Sequence, residues 1–133
     1  MMLVSDLNRS IDFYTRLLGM DIQRLRNSPE RFERGAYVGY GSDDENHALE
    51  LIQLGAPGEN TNIPPWSGHI AIFVSDLYRL CEKLKAEGVT FIEEPRPKRP
   101  GSKDLVAFIT DRDGYTVELT ERHTMSGPPI KIT

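Results

Sequence analysis

Apolar and polar positions along this 133-residue chain follow one pattern written twice. A short apolar run, Met1 to Val4, leads into Ser5-Asp6-Leu7. Apolar residues at helical spacing then follow, Ile11, Tyr14, Leu17 and Leu18, as far as Gly19. Gly68 to Val74 is a second apolar run. Asp76 comes next, then Leu77, Leu80, Cys81 and Leu84 at i, i+3, i+4 and i+7, as far as Gly88. Val-Ser-Asp-Leu itself recurs at an offset of 70, at Val4–Leu7 and Val74–Leu77. The spacing predicts one helix in each half. Asp6 (or Ser5) and Asp76 are the caps, because a side-chain oxygen there accepts from the free N–H groups of the first turn. A glycine that tolerates the left-handed conformation stops each helix.

The rest of each half reads as strands. In the first these are Met20–Leu25, Ala36–Tyr40 and His47–Leu54. Polar Arg26–Arg34, with Pro29, reads as a loop, and the Gly41-to-Asn46 run as a turn. In the second they are Val89–Glu93, Leu105–Thr110 and Tyr115–Thr120. Glu94–Asp104 reads as a loop, and Asp111-Arg112-Asp113-Gly114 as tight-turn chemistry. Each half closes on a strand with Glu at its centre, Leu49-Glu50-Leu51 and Val117-Glu118-Leu119, an offset of 68. The fold class is therefore α+β, with two paired βαβββ repeats at residues 1–54 and 68–122. A Pro- and Gly-rich linker, 55–67, joins them, and a tail, 123–133, follows. The linker is long for a compact domain and suits a crossing to another module or subunit. One helix cannot cover both faces of a four-stranded sheet, so two such sheets would close around a shared cavity. Strand side chains alternate. If the flanking leucines face the helix layer, Glu50 and Glu118 face that cavity.

Length and composition narrow the classes. A chain of 133 residues suits a single domain, 1–133, with a real core. A net charge of −4 gives no nucleic-acid footprint, and no apolar run approaches a membrane span. Cys81 is the only cysteine, which excludes an intrachain disulfide and suits a reducing cytoplasm. On the apolar helix face it reads as buried filler. Met1 already lies inside the first strand pattern, so a truncated start or an alternative start codon is expected.

Candidate chemistry rests on His69, Glu50 and Glu118. A carboxylate inside a strand is costly to bury without a cation or donors. Imidazole with carboxylates suits Zn²⁺, Ni²⁺, Co²⁺ or Fe²⁺. Shifted back by 70, His69 falls two residues before Met1, so the repeat has an empty place for a fourth polar group. His47 borders an acidic turn and His123 follows the last strand. Both read as solvent-facing, with either able to complete a metal site. The segment with Arg96, Lys98, Arg99 and Lys103 reads as a solvated loop or as a lid whose cations clasp a substrate carboxylate or phosphate.

Taken together, the Arg9-to-Met20 helix, Gly68-His69-Ile70-Ala71 and Asp113-Gly114-Tyr115-Thr116-Val117-Glu118-Leu119 resemble the glyoxalase I (lactoylglutathione lyase) family. That family lies in the vicinal-oxygen-chelate, or glyoxalase/bleomycin-resistance/dioxygenase, superfamily. The resemblance covers residues 1 to about 122. It implies paired repeats around a half-barrel cavity in a homodimer, with Glu50 from one subunit and His69 with Glu118 from the other. It implies octahedral Ni²⁺ or Zn²⁺ and a small-molecule substrate, the hemithioacetal of methylglyoxal and glutathione, isomerised through an enediolate. Glu118 would move the proton, and Glu50 would stay a ligand or serve the other face. The chain departs from the family at three places. The first-strand ligand falls before Met1, Leu3 stands at the family's glutathione-carboxylate arginine, and Leu54 stands at its asparagine. Lys98 and Arg99 are then the substrate-binding candidates. The other readings are a superfamily epimerase, a ring-cleaving dioxygenase, and a non-catalytic dimer sequestering an antibiotic or metabolite. Glu50 in place of a second His counts against the dioxygenase.

Overall fold

A computed structural model describes residues 1–60, 63 and 68–123. Most of the linker and the tail from residue 124 onward lie outside the described residues. The element order is β1 (Met2–Leu3), α1 (Leu7–Asp12), β2 (Asp21–Ser28), β3 (Glu33–Gly39) and β4 (Leu49–Leu54), then β5 (Ile70–Phe73), α2 (Leu77–Ala86), β6 (Phe91–Pro97), β7 (Leu105–Thr110) and β8 (Thr116–Glu121). These form two four-stranded mixed sheets, ordered β1-β4-β3-β2 and β5-β8-β7-β6. The described residues fall into two compact units divided between Ser67 and Gly68, except that Asp111–Tyr115 belongs with the first.

The repeat is exact to the register. Met2 pairs with Leu51 in a parallel ladder, and Ile72 pairs with Leu119 in the same way. The Val4 N–H donates to the Ile52 carbonyl as the Val74 N–H donates to that of Thr120. Asp6 and Asp76 cap the two helices, accepting from the N–H groups of Arg9 and Arg79. Ser5 is not the cap. A second device recurs unseen in the apolar pattern. The side chains of Gln53 and Glu121, 68 residues apart, accept from the first-turn N–H groups of Leu7 and Leu77 at 2.8 and 2.7 Å. Each terminal strand thus satisfies a donor that the helix leaves free. Gly19 and Gly88 follow the helices at φ +76 and +75, as expected.

Local differences from the sequence reading have physical causes. The first helix does not keep its 3.6-residue period. After Asp12 it widens into a π-helix, Phe13–Leu17, and the Leu18 N–H reaches back to the Phe13 carbonyl at 3.2 Å. The wider turn lets Phe13, Tyr14, Leu17 and Leu18 all sink into the core. Arg26–Arg34 is not a loop. Arg26, Asn27 and Ser28 pair with Gly35, Arg34 and Glu33, leaving only a 3₁₀ turn at Pro29–Arg31. An edge strand exposed on both faces has no alternation to reveal it. Glu94–Pro97 is strand as well, because β6 is an edge, where prolines at 95 and 97 forfeit no ladder bond. Its register breaks on either side of Glu93. The expected loop shrinks to the segment after Pro97. The strand expected from Gly68 begins at Ile70, and the one expected from His47 begins at Leu49.

In the first unit, the Asp111–Tyr115 turn carries carboxylates that point inward. Asp111 Oδ2 accepts from the buried Tyr14 hydroxyl at 2.7 Å, while Oδ1 accepts from the N–H groups of Asp113 and Tyr115, both at 2.9 Å. Asp113 Oδ1 accepts from the Ser5 N–H and hydroxyl at 3.1 and 2.6 Å. The Tyr115 hydroxyl donates to the Leu3 carbonyl at 2.8 Å. Burial, with the Asp111 carboxylate beside it, raises the Tyr14 hydroxyl well above its usual range. Burial also raises the Asp111 carboxyl, against the bonds it accepts. Cys81 is buried, as expected, and burial pushes its thiol up to about 11, so it is no nucleophile.

Candidate active site

In each unit the last strand turns its leucine-flanked glutamate away from the helix. Leu51, Val117 and Leu119 are fully buried, whereas the side chains of Glu50 and Glu118 keep 27% and 13% of their exposure. Both carboxylates thus lie on the sheet face the helix leaves uncovered, as alternation requires.

In the first unit, β3 places Tyr37 directly across from Glu50. The Tyr37 hydroxyl donates to Glu50 Oε1 at 2.9 Å, and that bond raises the phenol above its ordinary range. Arg26 Nη2 lies 3.6 Å from the same oxygen and 2.6 Å from Glu33 Oε1. The guanidinium runs over Gly35, where a Cβ would stand 3.4 Å from it, so the missing side chain makes room. One hydrogen-bond donor and one cation thus engage Oε1, leaving Oε2 without a protein partner among the described residues. Sequence reasoning missed Tyr37 and Arg26. Their signal is the β2–β3–β4 register, which a loop at Arg26–Arg34 conceals.

In the second unit, His69 stands one residue ahead of β5, and Ala71 pairs with Glu118. His69 Nε2 is 2.9 Å from Glu118 Oε2. The imidazole meets Phe108 edge to face at 5.8 Å, and Phe108 is itself Glu118's partner on β7. Lys98 Nζ is 3.8 Å from Glu118 Oε1. The Lys98 N–H donates to the Asp104 carbonyl at 2.8 Å, which holds the loop's start beside the site. Of the two basic candidates, the structure brings Lys98 to the glutamate. Arg99 is exposed and forms no ion pair among the described residues. His47 is exposed, and the His123 N–H is bonded to Asp104 Oδ1 at 3.0 Å. Neither imidazole bonds to Glu50, His69 or Glu118.

The donor set suits a divalent cation. An imidazole nitrogen and a carboxylate oxygen 2.9 Å apart have the spacing of neighbouring ligands held at about 2.1 Å from one ion. Among the described residues no group of three such side chains is assembled, and His69 with Glu118 is a pair able to offer two ligand atoms.

The glyoxalase/bleomycin resistance protein/dioxygenase superfamily matches residues 1–119. A probable lactoylglutathione lyase of Synechocystis sp. is 36% identical over 121 residues, 91% of this chain and 91% of that protein. A probable chloroplastic lactoylglutathione lyase of Arabidopsis thaliana is 40% identical over 97% of this chain, which spans only 36% of that longer protein. Among solved structures, the trypanothione-dependent glyoxalase I of Leishmania major superposes with a TM-score of 0.78 at 34% identity, over 93% of this chain and 84% of that one. The chain belongs to the glyoxalase/bleomycin resistance protein/dioxygenase superfamily and is lactoylglutathione lyase-like over most of its length.

Proposed function

We propose that the protein isomerises the hemithioacetal of methylglyoxal and glutathione to S-lactoylglutathione, as a metal-dependent homodimer of the cytoplasm. The observation that carries the reading is the His69–Glu118 pair at 2.9 Å, in a chain 36% identical to a probable lactoylglutathione lyase over nine-tenths of both. Glu50, His69 and Glu118 are the proposed ligands of Ni²⁺ or Zn²⁺, with Glu50 contributed by the partner subunit. The bound ion would act as a Lewis acid on the two substrate oxygens.

The remaining steps belong to the chain. Glu118 takes the proton from the carbon bearing sulfur and hydroxyl, and the C–H electron pair forms the double bond of an enediolate. It delivers a proton to the neighbouring carbon, the former ketone. The hydroxyl proton shifts between the oxygens, leaving a thioester beside a new CH–OH. Atoms and electrons balance with no external oxidant. Lys98 Nζ lies 3.8 Å from Oε1 of the carboxylate that accepts the first proton. Tyr37 and Arg26 hold Glu50 by one oxygen and leave the other to ligate.

Run in D₂O, the reaction is expected to place solvent deuterium on the CH–OH carbon of part of the product, with no oxygen uptake. Proton NMR and an oxygen electrode read the two. Oxygen consumption would replace the isomerase by a dioxygenase. Tight binding without product would leave a sequestering protein, the reading favoured by apolar Leu3 and by Leu54, which is 37% exposed.

A further inference from the structure

Several cations on or beside the two sheet faces that carry the glutamates are met by acids. Arg24 is bonded to Asp43 and Arg26 to Glu33, each at 2.6 Å. Arg96 is bonded to Glu93, and Lys98 lies against Glu118. Arg122, directly after β8, meets no carboxylate among the described residues. Its guanidinium instead lies 4.5 Å over the ring of Phe73. That ring is 60% exposed at the end of β5.

Register places this pair relative to Glu118. Ala71 pairs with Glu118 and Phe73 with Thr120, so Phe73 follows His69 and Ala71 along one face. Arg122 follows Glu118 and Thr120 at the same two-residue step. Four residues of extended chain put the Arg122 backbone about 13 Å from that of Glu118, a span that an extended tripeptide and a long side chain cover together. The fold does not require a cation or a ring here, because the equivalent positions of the first repeat hold Leu3 and Leu54. An aromatic face orders a guanidinium while leaving its edge to donate two parallel hydrogen bonds, the arrangement a carboxylate accepts best.

We propose that Arg122, seated on Phe73, is an anion subsite that takes a terminal carboxylate of a peptide-type thiol adduct whose reacting carbon lies at Glu118. The proposal rests on the isomerase reading and adds a positioning residue for the substrate named there. The first arm of the test is turnover. Arg122→Gln raises KM for the glutathione hemithioacetal by roughly 10- to 100-fold, with kcat within about two-fold of the unaltered protein, and Arg122→Lys recovers part of the loss. Adducts of the glutathione diester, which has no free carboxylate, show the high KM already and do not respond to Arg122→Gln. The second arm needs no chemistry: calorimetric binding of S-hexylglutathione weakens by the same factor in Arg122→Gln. Arg122-dependent binding without turnover would sink the isomerase reading and leave the subsite standing. Binding that Arg122→Gln does not change, or none by the unaltered protein, overturns the subsite whatever the turnover.

Discussion

Glu118→Gln is expected to lower hemithioacetal turnover by about 10³-fold or more while leaving the fold and the oligomeric state unchanged. The fold is spared because the change is nearly isosteric and because Val117 and Leu119, on either side, keep the buried face of β8 intact. The activity is lost because a neutral amide has no basic oxygen to take the substrate proton; general-base removal alone is worth about 10²- to 10⁴-fold. Loss of an anionic oxygen from the proposed metal site adds to this. The pair with Lys98 also disappears, but it is long and half exposed, so its share is small. Circular dichroism and gel filtration check the fold, and product absorbance checks turnover. A Glu118→Gln variant that keeps a tenth of the activity would remove Glu118 from the proton's path.

Asp111→Ala is expected to be the costliest of the structural substitutions, at about 3–5 kcal/mol. It leaves the buried Tyr14 hydroxyl without its acceptor and the N–H groups of Asp113 and Tyr115 without theirs. At this chain length the loss corresponds to a melting midpoint lower by roughly 10 °C or more. Asp111→Asn is the control. Its amide oxygen still accepts the two N–H groups, and its NH₂ can donate to the Tyr14 oxygen, so it loses far less. Both variants also differ from the unaltered protein in pH dependence. Burial raises the Asp111 carboxyl in the folded state, so the stability linked to its protonated form is fully present below the unfolded value of about 3.9. That stability falls as pH rises through the raised folded value, and either substitution removes the slope. Urea midpoints measured across that range test it. A small cost for Asp111→Ala would mean that the turn is held by Asp113 and Tyr115 instead.

The fold was legible because it is a repeat. The 70- and 68-residue offsets carried the strand order, the Asp6 and Asp76 caps and the outward turn of Glu50 and Glu118, each a consequence of local periodicity. What escaped depends on partners distant in sequence. Gln53 and Glu121 look like ordinary strand polars until a helix start is placed against them. Asp111 looks like a turn residue until Tyr14 lies beneath it. Arg26 looks like loop until Gly35 makes room for it next to Glu50. The π-helix at Phe13–Leu17 escaped for another reason: a wider turn serves a core whose shape the sequence does not write locally. At the site, parity was enough to turn Glu118 to the uncovered face, while the approach of Lys98 to it depends on the loop's course.

The central claim is a metal-dependent isomerase built on Glu50, His69 and Glu118. The most direct measurement is metal content by mass spectrometry on the purified protein, with hemithioacetal turnover measured after chelation and again after Ni²⁺ or Zn²⁺ is restored. Near-stoichiometric metal is expected, with turnover abolished by the chelator and recovered with one of the two ions. Protein that takes up neither ion, or that turns over equally after chelation, would contradict it.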